Sequence, residues 1–189
     1  MLRKPVVILI ALVLLSTTAW AKEQEELPAA EDQHLTFDVD MRAGAGASYK
    51  MTGGYADWGL GMDLLLLFRI TPLGTGHSIM PEIGYSANIH AKDVTDHYFV
   101  AGLGYGYNSK WFVAGIIPSL VVGSTQGFNH ARNDGLGFRT TVFAEIPRIV
   151  GIQVHHQIVV FGGEMVNEFC FSASLNLGLV LVVMMAMGG

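Results

Sequence analysis

From His34 onward the chain alternates apolar and polar side chains with few breaks. Leu35, Phe37, Val39, Met41, Ala43, Ala45, Ala47, Tyr49 and Met51 fall on one parity. His34, Thr36, Asp38, Asp40, Arg42, Gly44, Gly46, Ser48 and Lys50 fall on the other. Successive side chains of a strand point to opposite faces, so a period of two predicts a β-strand with two unlike faces. The same split returns over 58–70, 79–91, 98–108, 111–123, 135–147, 152–161 and 169–183, which makes eight predicted strands. The gaps between them (52–57, 71–78, 92–97, 108–110, 124–134, 147–151 and 162–168) are rich in Gly, Pro, Asn, Asp and Ser, the residues of turns.

None of these gaps is long enough for a crossover helix, so the strands are expected to run up and down as antiparallel neighbours. The 156 residues from His34 to Gly189 give about 20 per strand and connection, ample for a membrane-crossing strand of about 9 to 11 residues. A helix fits only 175–187, a stretch of 13 residues with Asn176 and Gly178 inside it. It is too short to cross a bilayer as a helix; a buried helix there stays open as the alternative.

Alternation alone does not say which face is outside. A water-soluble barrel needs a charged outer face, but the polar parity here is mostly Gly, Ser, Thr and Asn. Gly102, Gly104 and Gly106 alternate with Leu103, Tyr105 and Tyr107, and Gly59, Gly61, Gly84, Gly115, Gly135, Gly137 and Gly178 share the polar side. Small residues suit a narrow, filled interior, and the large apolar set facing water would form a patch far beyond what soluble proteins carry. Lipid is therefore the expected outer solvent. Tyr49, Tyr55, Trp58, Tyr98, Phe99, Phe161 and Phe169 near one set of strand ends, and Phe37, Phe68, Tyr107, Trp111 and Phe112 near the other, match two interfacial aromatic girdles.

The N-terminus changes the picture of the compartment. Arg3 and Lys4 precede an apolar run over 6–15, and Ala19-Trp20-Ala21 follows, the three-part pattern of a secretory signal. A cleaved signal over 1–21, a disordered acidic leader over 22–33 (KEQEELPAAEDQ) and a barrel over 34–189 are expected. Without Arg3 and Lys4, nine basic residues face sixteen acidic ones, a net charge of −7, which argues against nucleic acid as a partner. Cys170 is the only cysteine, so no intramolecular disulfide supports the fold.

The signal, the eight alternating segments and the glycine-lined polar face together resemble the small OmpA/OmpX-type outer-membrane barrels. The resemblance covers His34 to about Val183, lies in pattern and carries no functional residue over. It implies an all-β fold: a transmembrane antiparallel up-and-down barrel of about eight strands in the bacterial outer membrane, with membrane lipid and the insertion machinery as partners. One departure stands out, because such barrels end in an aromatic residue at the last strand and this chain ends Met184-Met185-Ala186-Met187-Gly188-Gly189. With the leader in the periplasm, connections one, three, five and seven face outward, and these are expected to be the longer ones.

Eight strands leave an interior filled by side chains, which excludes a wide solute channel. Hairpin register places Asp38 opposite Arg69, with Arg42 diagonal to Asp63, Glu82 diagonal to Arg69 and Asp40 alongside. These six are expected to form one buried network with Arg69 as its hub. A sharper alternative is a lipid-modifying acyl-transfer or deacylation enzyme using Glu145 as acid, His155 as base and Ser174 as nucleophile, which approximate register makes neighbours. His155 and His156 are adjacent on a strand and point to opposite faces, so they cannot share an ion; no metal or cofactor is predicted. His90, His97, His130, Asp93, Asp96 and Asp134 read as a solvated rim, with a weak cation or polysaccharide contact as the alternative. In the longest connection, Phe128, His130, Arg132 and Asp134 are the candidates for surface recognition. A non-enzymatic structural or surface-interaction role leads, with the enzyme second and a secreted soluble barrel binder, faces inverted, third.

Overall fold

The computed structural model describes residues 35–90, 94–109, 111–126, 133–146 and 149–177. The signal, the leader, the chain end and the recognition candidates Phe128, His130 and Arg132 lie outside them. Eight strands form: β1 (Leu35–Thr52), β2 (Tyr55–Pro72), β3 (His77–His90), β4 (Thr95–Asn108), β5 (Val113–Gln126), β6 (Asn133–Ile146), β7 (Val150–Phe161) and β8 (Glu164–Asn176). Each pairs antiparallel with its sequence neighbour, and β1 closes on β8 from Arg42↔Asn176 to Thr52↔Val166. The result is the expected all-β, up-and-down, closed antiparallel barrel. Closure leaves no free edge where β1 runs beside β8, so from Arg42 to Thr52 the wall's backbone groups find partners on both sides. Leu175 and Asn176 belong to β8 and not to a helix.

Strand ends are where expectation and structure part. The first connection shrinks to Gly53–Gly54, with φ of 52° and 88°, and the seventh to Gly162–Gly163, with φ of 56° and 92°. Two consecutive left-handed residues make the tight hairpin turn whose twist matches the flanking strands, and glycine enters it without steric cost. Connections one and seven are therefore not the longer loops expected of an outer face. Asp134 likewise leaves the predicted loop and joins β6 opposite Ser124.

Parity decides the rest. Leu64, Leu103, Leu120 and Val142 stand 44–64% exposed on the outer wall. The opposite parity is closed over: Arg42, Arg69, Arg139, His155, Gln153, Gln157 and Glu168 are each under 2% exposed or near it. The inner face is less uniformly polar than the sequence reading holds. Tyr98, Val100, Val121, Val159, Phe161 and Val166 form one apolar layer, and Leu67, Met80, Val113, Ile117 and Phe143 form another. Tyr98 and Phe161 thus leave the predicted girdle for the lumen, while Tyr49 and Trp58 keep it, with ring centroids 4.6 Å apart.

The lumen is narrow enough for glycine to be a requirement of closure. A Cβ on Gly46 would sit 1.9 Å from the Phe171 carbonyl oxygen and 2.4 Å from Ser172 Cα, across the seam where β1 meets β8. Backbone atoms cannot rotate away, so a larger side chain opens the seam. The folded barrel is expected to migrate differently on a gel with and without boiling, and Gly46→Val to lower its denaturation free energy by about 3 kcal/mol. Unaltered mobility on boiling, or an unaltered unfolding midpoint in the variant, would contradict closure at this seam.

Candidate functional site

Ionisable side chains occupy the lumen in three groups, and each is assembled across the barrel. The central group is built on Asp63 of β2 and Arg139 of β6, strands that face one another through the lumen. Arg139 Nη2 lies 3.3 Å from Asp63 Oδ1, and its Nη1 donates to Ser86 Oγ at 2.6 Å. Ser86 in turn donates to Asp63 Oδ1. Gln153 Nε2 and Ser172 Oγ donate to Asp63 Oδ2 at 2.8 and 3.4 Å. Arg139 Nη2 also reaches His155 Nδ1 at 2.8 Å. A guanidinium only donates, so Nδ1 accepts and the ring hydrogen of neutral His155 sits on Nε2.

The second group lies towards the end carrying the even-numbered connections. Arg69 Nη2 pairs with Asp40 Oδ2 at 2.6 Å, and Arg42 Nε pairs with Glu145 Oε1 at 2.6 Å. Asn176 Nδ2 donates to Asp40 Oδ1 at 2.8 Å, and the Arg42 guanidinium stacks 4.3 Å above the Phe143 ring, a cation–π contact. Asp38 stands opposite Arg69 in the ladder and is half-buried. Glu82 is buried in the field of Arg139 and Arg42.

The six predicted network residues therefore do share the inner face, but not as one network around Arg69. Arg69 makes its ion pair with Asp40; Asp63, expected near Arg42, is held by Arg139, and Arg42 goes to Glu145. Hairpin register ranks neighbours along the wall, whereas the shortest path between two lumen charges runs across it.

The catalytic alternative is overturned by the same geometry. His155 faces Thr141 on β6 and Cys170 on β8, while Glu145 and Ser174 both flank Gly151, four residues further along β7. At about 3.4 Å per strand residue, His155 stands roughly 14 Å away from them along the strand. The β7–β8 register shifts because the turn is two residues and not seven. Among the described residues, no serine or cysteine is hydrogen-bonded to a histidine, and Glu145 is committed to Arg42. His156 points the other way, as expected of the neighbour of His155, and stacks on Phe169 with centroids 4.3 Å apart.

The third group lies at the mouth carrying the odd-numbered connections; sequence reasoning put His90 and Asp96 at this end, but on solvated loops and without Lys50 or Glu168. Lys50 Nζ lies 2.5 Å from Asp96 Oδ2; His90 Nε2 lies 3.2 Å from Asp96 Oδ2 and 3.2 Å from Glu168 Oε1. Tyr98 Oη and Gln157 Nε2 donate to Glu168 Oε2 at 2.9 and 2.6 Å. A pocket of about 130 Å³ lined by Lys50, Thr52, Tyr55, Asp57, His90 and Val94 opens beside it. His90 and Asp96 are 3% and 0% exposed, so they are not rim residues. β4 begins at Thr95 and β8 at Glu164, which draws Asp96 and Glu168 out of the predicted loops and into the wall. The parity of Lys50 and His90 pointed to the lumen, and nothing in the sequence drew Glu168 to them.

No protein-family model and no curated protein matches the chain. Among solved structures the barrel is similar to the crystal structure of Neisserial surface protein A (NspA), with a TM-score of 0.51 and 11% identity over 75% of this chain and 99% of that one. It is also similar to Ail, the attachment invasion locus protein of Yersinia pestis, with a TM-score of 0.45 and 9% identity over 72% of this chain and 96% of that one. At such identity the likeness to NspA is one of fold, that of a small eight-stranded outer-membrane barrel.

Removing one partner of a buried ion pair typically costs about 3 to 5 kcal/mol, because the other charge is left desolvated. Arg139→Ala is expected to destabilise the refolded barrel by that amount in denaturant titrations, and Arg139→Met combined with Asp63→Asn to recover part of the loss. A parent-like midpoint for Arg139→Ala would mean that the central group does not hold the barrel together.

Proposed function

We propose that this chain is a non-enzymatic protein of the bacterial outer membrane, with a structural or surface-interaction role. One observation carries the reading: a wall of exposed large apolar side chains surrounds a lumen already filled by its own ion pairs. Leu120 and Leu136 at 64%, Leu103 at 61% and Val142 at 53% exposure are typical of that wall. Water would not tolerate it, so a bilayer is its natural solvent and a soluble binder with inverted faces is disfavoured. A filled lumen leaves no path for solutes, and the scattered lumen groups supply no nucleophile with an activated base. Interaction then falls to the mouths and the connections, with outer-membrane lipid around the wall and the insertion machinery as the partner that installs it.

Cell fractionation should recover the protein with the outer membrane, and lipid A from cells with and without it should have identical masses by mass spectrometry. A mass difference restored by complementation would establish an enzyme. The wall makes a sharper prediction about depth. Leu64→Arg, on the outer wall in mid-strand, is expected to cost about 2 to 4 kcal/mol of stability in lipid vesicles, and Tyr55→Arg, at the strand end, about 0 to 1 kcal/mol. Equal costs would mean that the wall does not face a bilayer.

A further inference from the structure

Buried polar atoms without a hydrogen-bond partner occur in all three lumen groups, among them Gln153 Oε1 and His155 Nε2 in the centre and Arg69 Nε and Glu82 Oε1 in the second group; the mouth differs in that they converge. In the centre both Asp63 oxygens accept hydrogen bonds, and Arg139 distributes its donors among Ser86, Thr141, Asp63 and His155. At the mouth the contacts are close but incomplete. His90 Nε2 is 3.2 Å from each of two carboxylate oxygens, Asp96 has Thr125 and Tyr98 as further hydrogen-bonding neighbours, and His90 Nδ1 is buried without a hydrogen-bond partner. Leaving a buried polar atom unsatisfied costs about 1 to 3 kcal/mol, and more for a charged one. Electron-pair donors of an imidazole and two carboxylates that converge on one buried point form an arrangement that a cation can satisfy.

We propose that His90, Asp96 and Glu168 form a divalent-metal site of the zinc class at this mouth. An imidazole nitrogen and two carboxylate oxygens are a recognised donor set for such ions, with bonds of about 2.0 to 2.2 Å. A tetrahedron with bonds of that length has edges of about 3.3 Å, and the two distances from His90 Nε2 are 3.2 Å. All three ligand atoms lie within 4.8 Å of one another.

The surroundings fit an ion as well. Glu168 is oriented through Oε2, which accepts from Tyr98 and Gln157, leaving Oε1 for the metal; this is how outer partners fix a ligating carboxylate. Lys50 competes for Asp96, but it stands directly across from Asp57 on β2, so its ammonium has a second carboxylate within reach. Three carboxylates, one ammonium, a neutral imidazole and a divalent cation sum to zero charge. The adjoining pocket, which His90 lines, has room for a water as the fourth ligand. Asp63, His155 and Cys170 also cluster deep in the lumen, but Arg139 already stands against Asp63 and His155 and repels a second cation.

The test uses the tag-free barrel, refolded in detergent, stripped with chelator and titrated with zinc chloride in a calorimeter. Folding of every variant is verified by its gel mobility without boiling. One zinc per chain is expected, with His90→Ala and Glu168→Gln each weakening binding by about 100-fold or more, and His156→Ala leaving it unchanged. Lys50→Met removes a competing positive charge and is expected to tighten binding by about tenfold, whereas in a plain ion-pair cluster it would only destabilise. Cobalt bound to the parent protein gives a second measurement that needs no variant: an intense visible spectrum of tetrahedral type supports the site. No stoichiometric uptake, uptake indifferent to His90, weaker binding in Lys50→Met, or a weak octahedral cobalt spectrum would each overturn it.

Discussion

Eight strands close around a space only as wide as the side chains that fill it, and most of what distinguishes this molecule follows from that width. The inner face is at once the inside of a wall and the core of a domain, so each inward residue is packed against residues from the far side. Arg42, Arg69 and Arg139 are all at most 2% exposed, and an arginine held that dry must be paired or the barrel loses several kcal/mol. Arg42 and Arg139 pair across the lumen, from β1 to β6 and from β2 to β6, while Arg69 pairs with Asp40 on the neighbouring strand. Between the charged groups sit two apolar layers, and where the backbones of β1 and β8 come closest only glycine fits.

The outer wall obeys a different rule. Its apolar side chains gain little from one another if their neighbours are acyl chains as apolar as themselves, so the stability of the barrel rests on the closed backbone ladder and the lumen pairs. Polar residues on the outside are correspondingly few and attached to rings. Tyr85 bonds to His97, Tyr105 Oη lies 2.6 Å from His77 Nδ1, and His156 stacks on Phe169. Each of these three outward histidines thus presents an aromatic neighbour along with its own ring, a combination suited to the boundary between water and lipid.

The strands and their faces were legible because period two is a local property, written into every pair of adjacent residues. Counting back from the first turn puts Asp38 opposite Arg69, and the ladder has that register. Gly53–Gly54 and Gly162–Gly163 were legible as turn residues but not as the whole turn. Tyr55 and Asp57, or Glu164 and Glu168, look like loop residues until the ladder is seen to continue through them. Misjudged turn lengths displaced β8, and to a lesser extent β6, along β7 and brought His155, Glu145 and Ser174 together on paper when Cys170 and Thr141 are the true neighbours of His155. Pairing across the lumen was not legible at all. It depends on strand number and stagger, which appear only when β1 meets β8.

The two ends of the lumen show how the same constraint can either exhaust a charged group or leave it available. Asp40, Arg69, Arg42 and Glu145 neutralise one another in two short pairs, with Asn176 taking a further Asp40 oxygen. Such a cluster has its charges spent on structure. At the opposite mouth two carboxylates face a single histidine, with only Lys50 as a permanent cation and Asp57 nearby as a third acid. The packing that buries them is set by the barrel's width and cannot relax to bring in another side chain. Water reaches the adjoining pocket, so a small cation is the species that can enter without widening the wall, and the mouth is the part of this barrel whose chemistry the fold itself leaves unfinished.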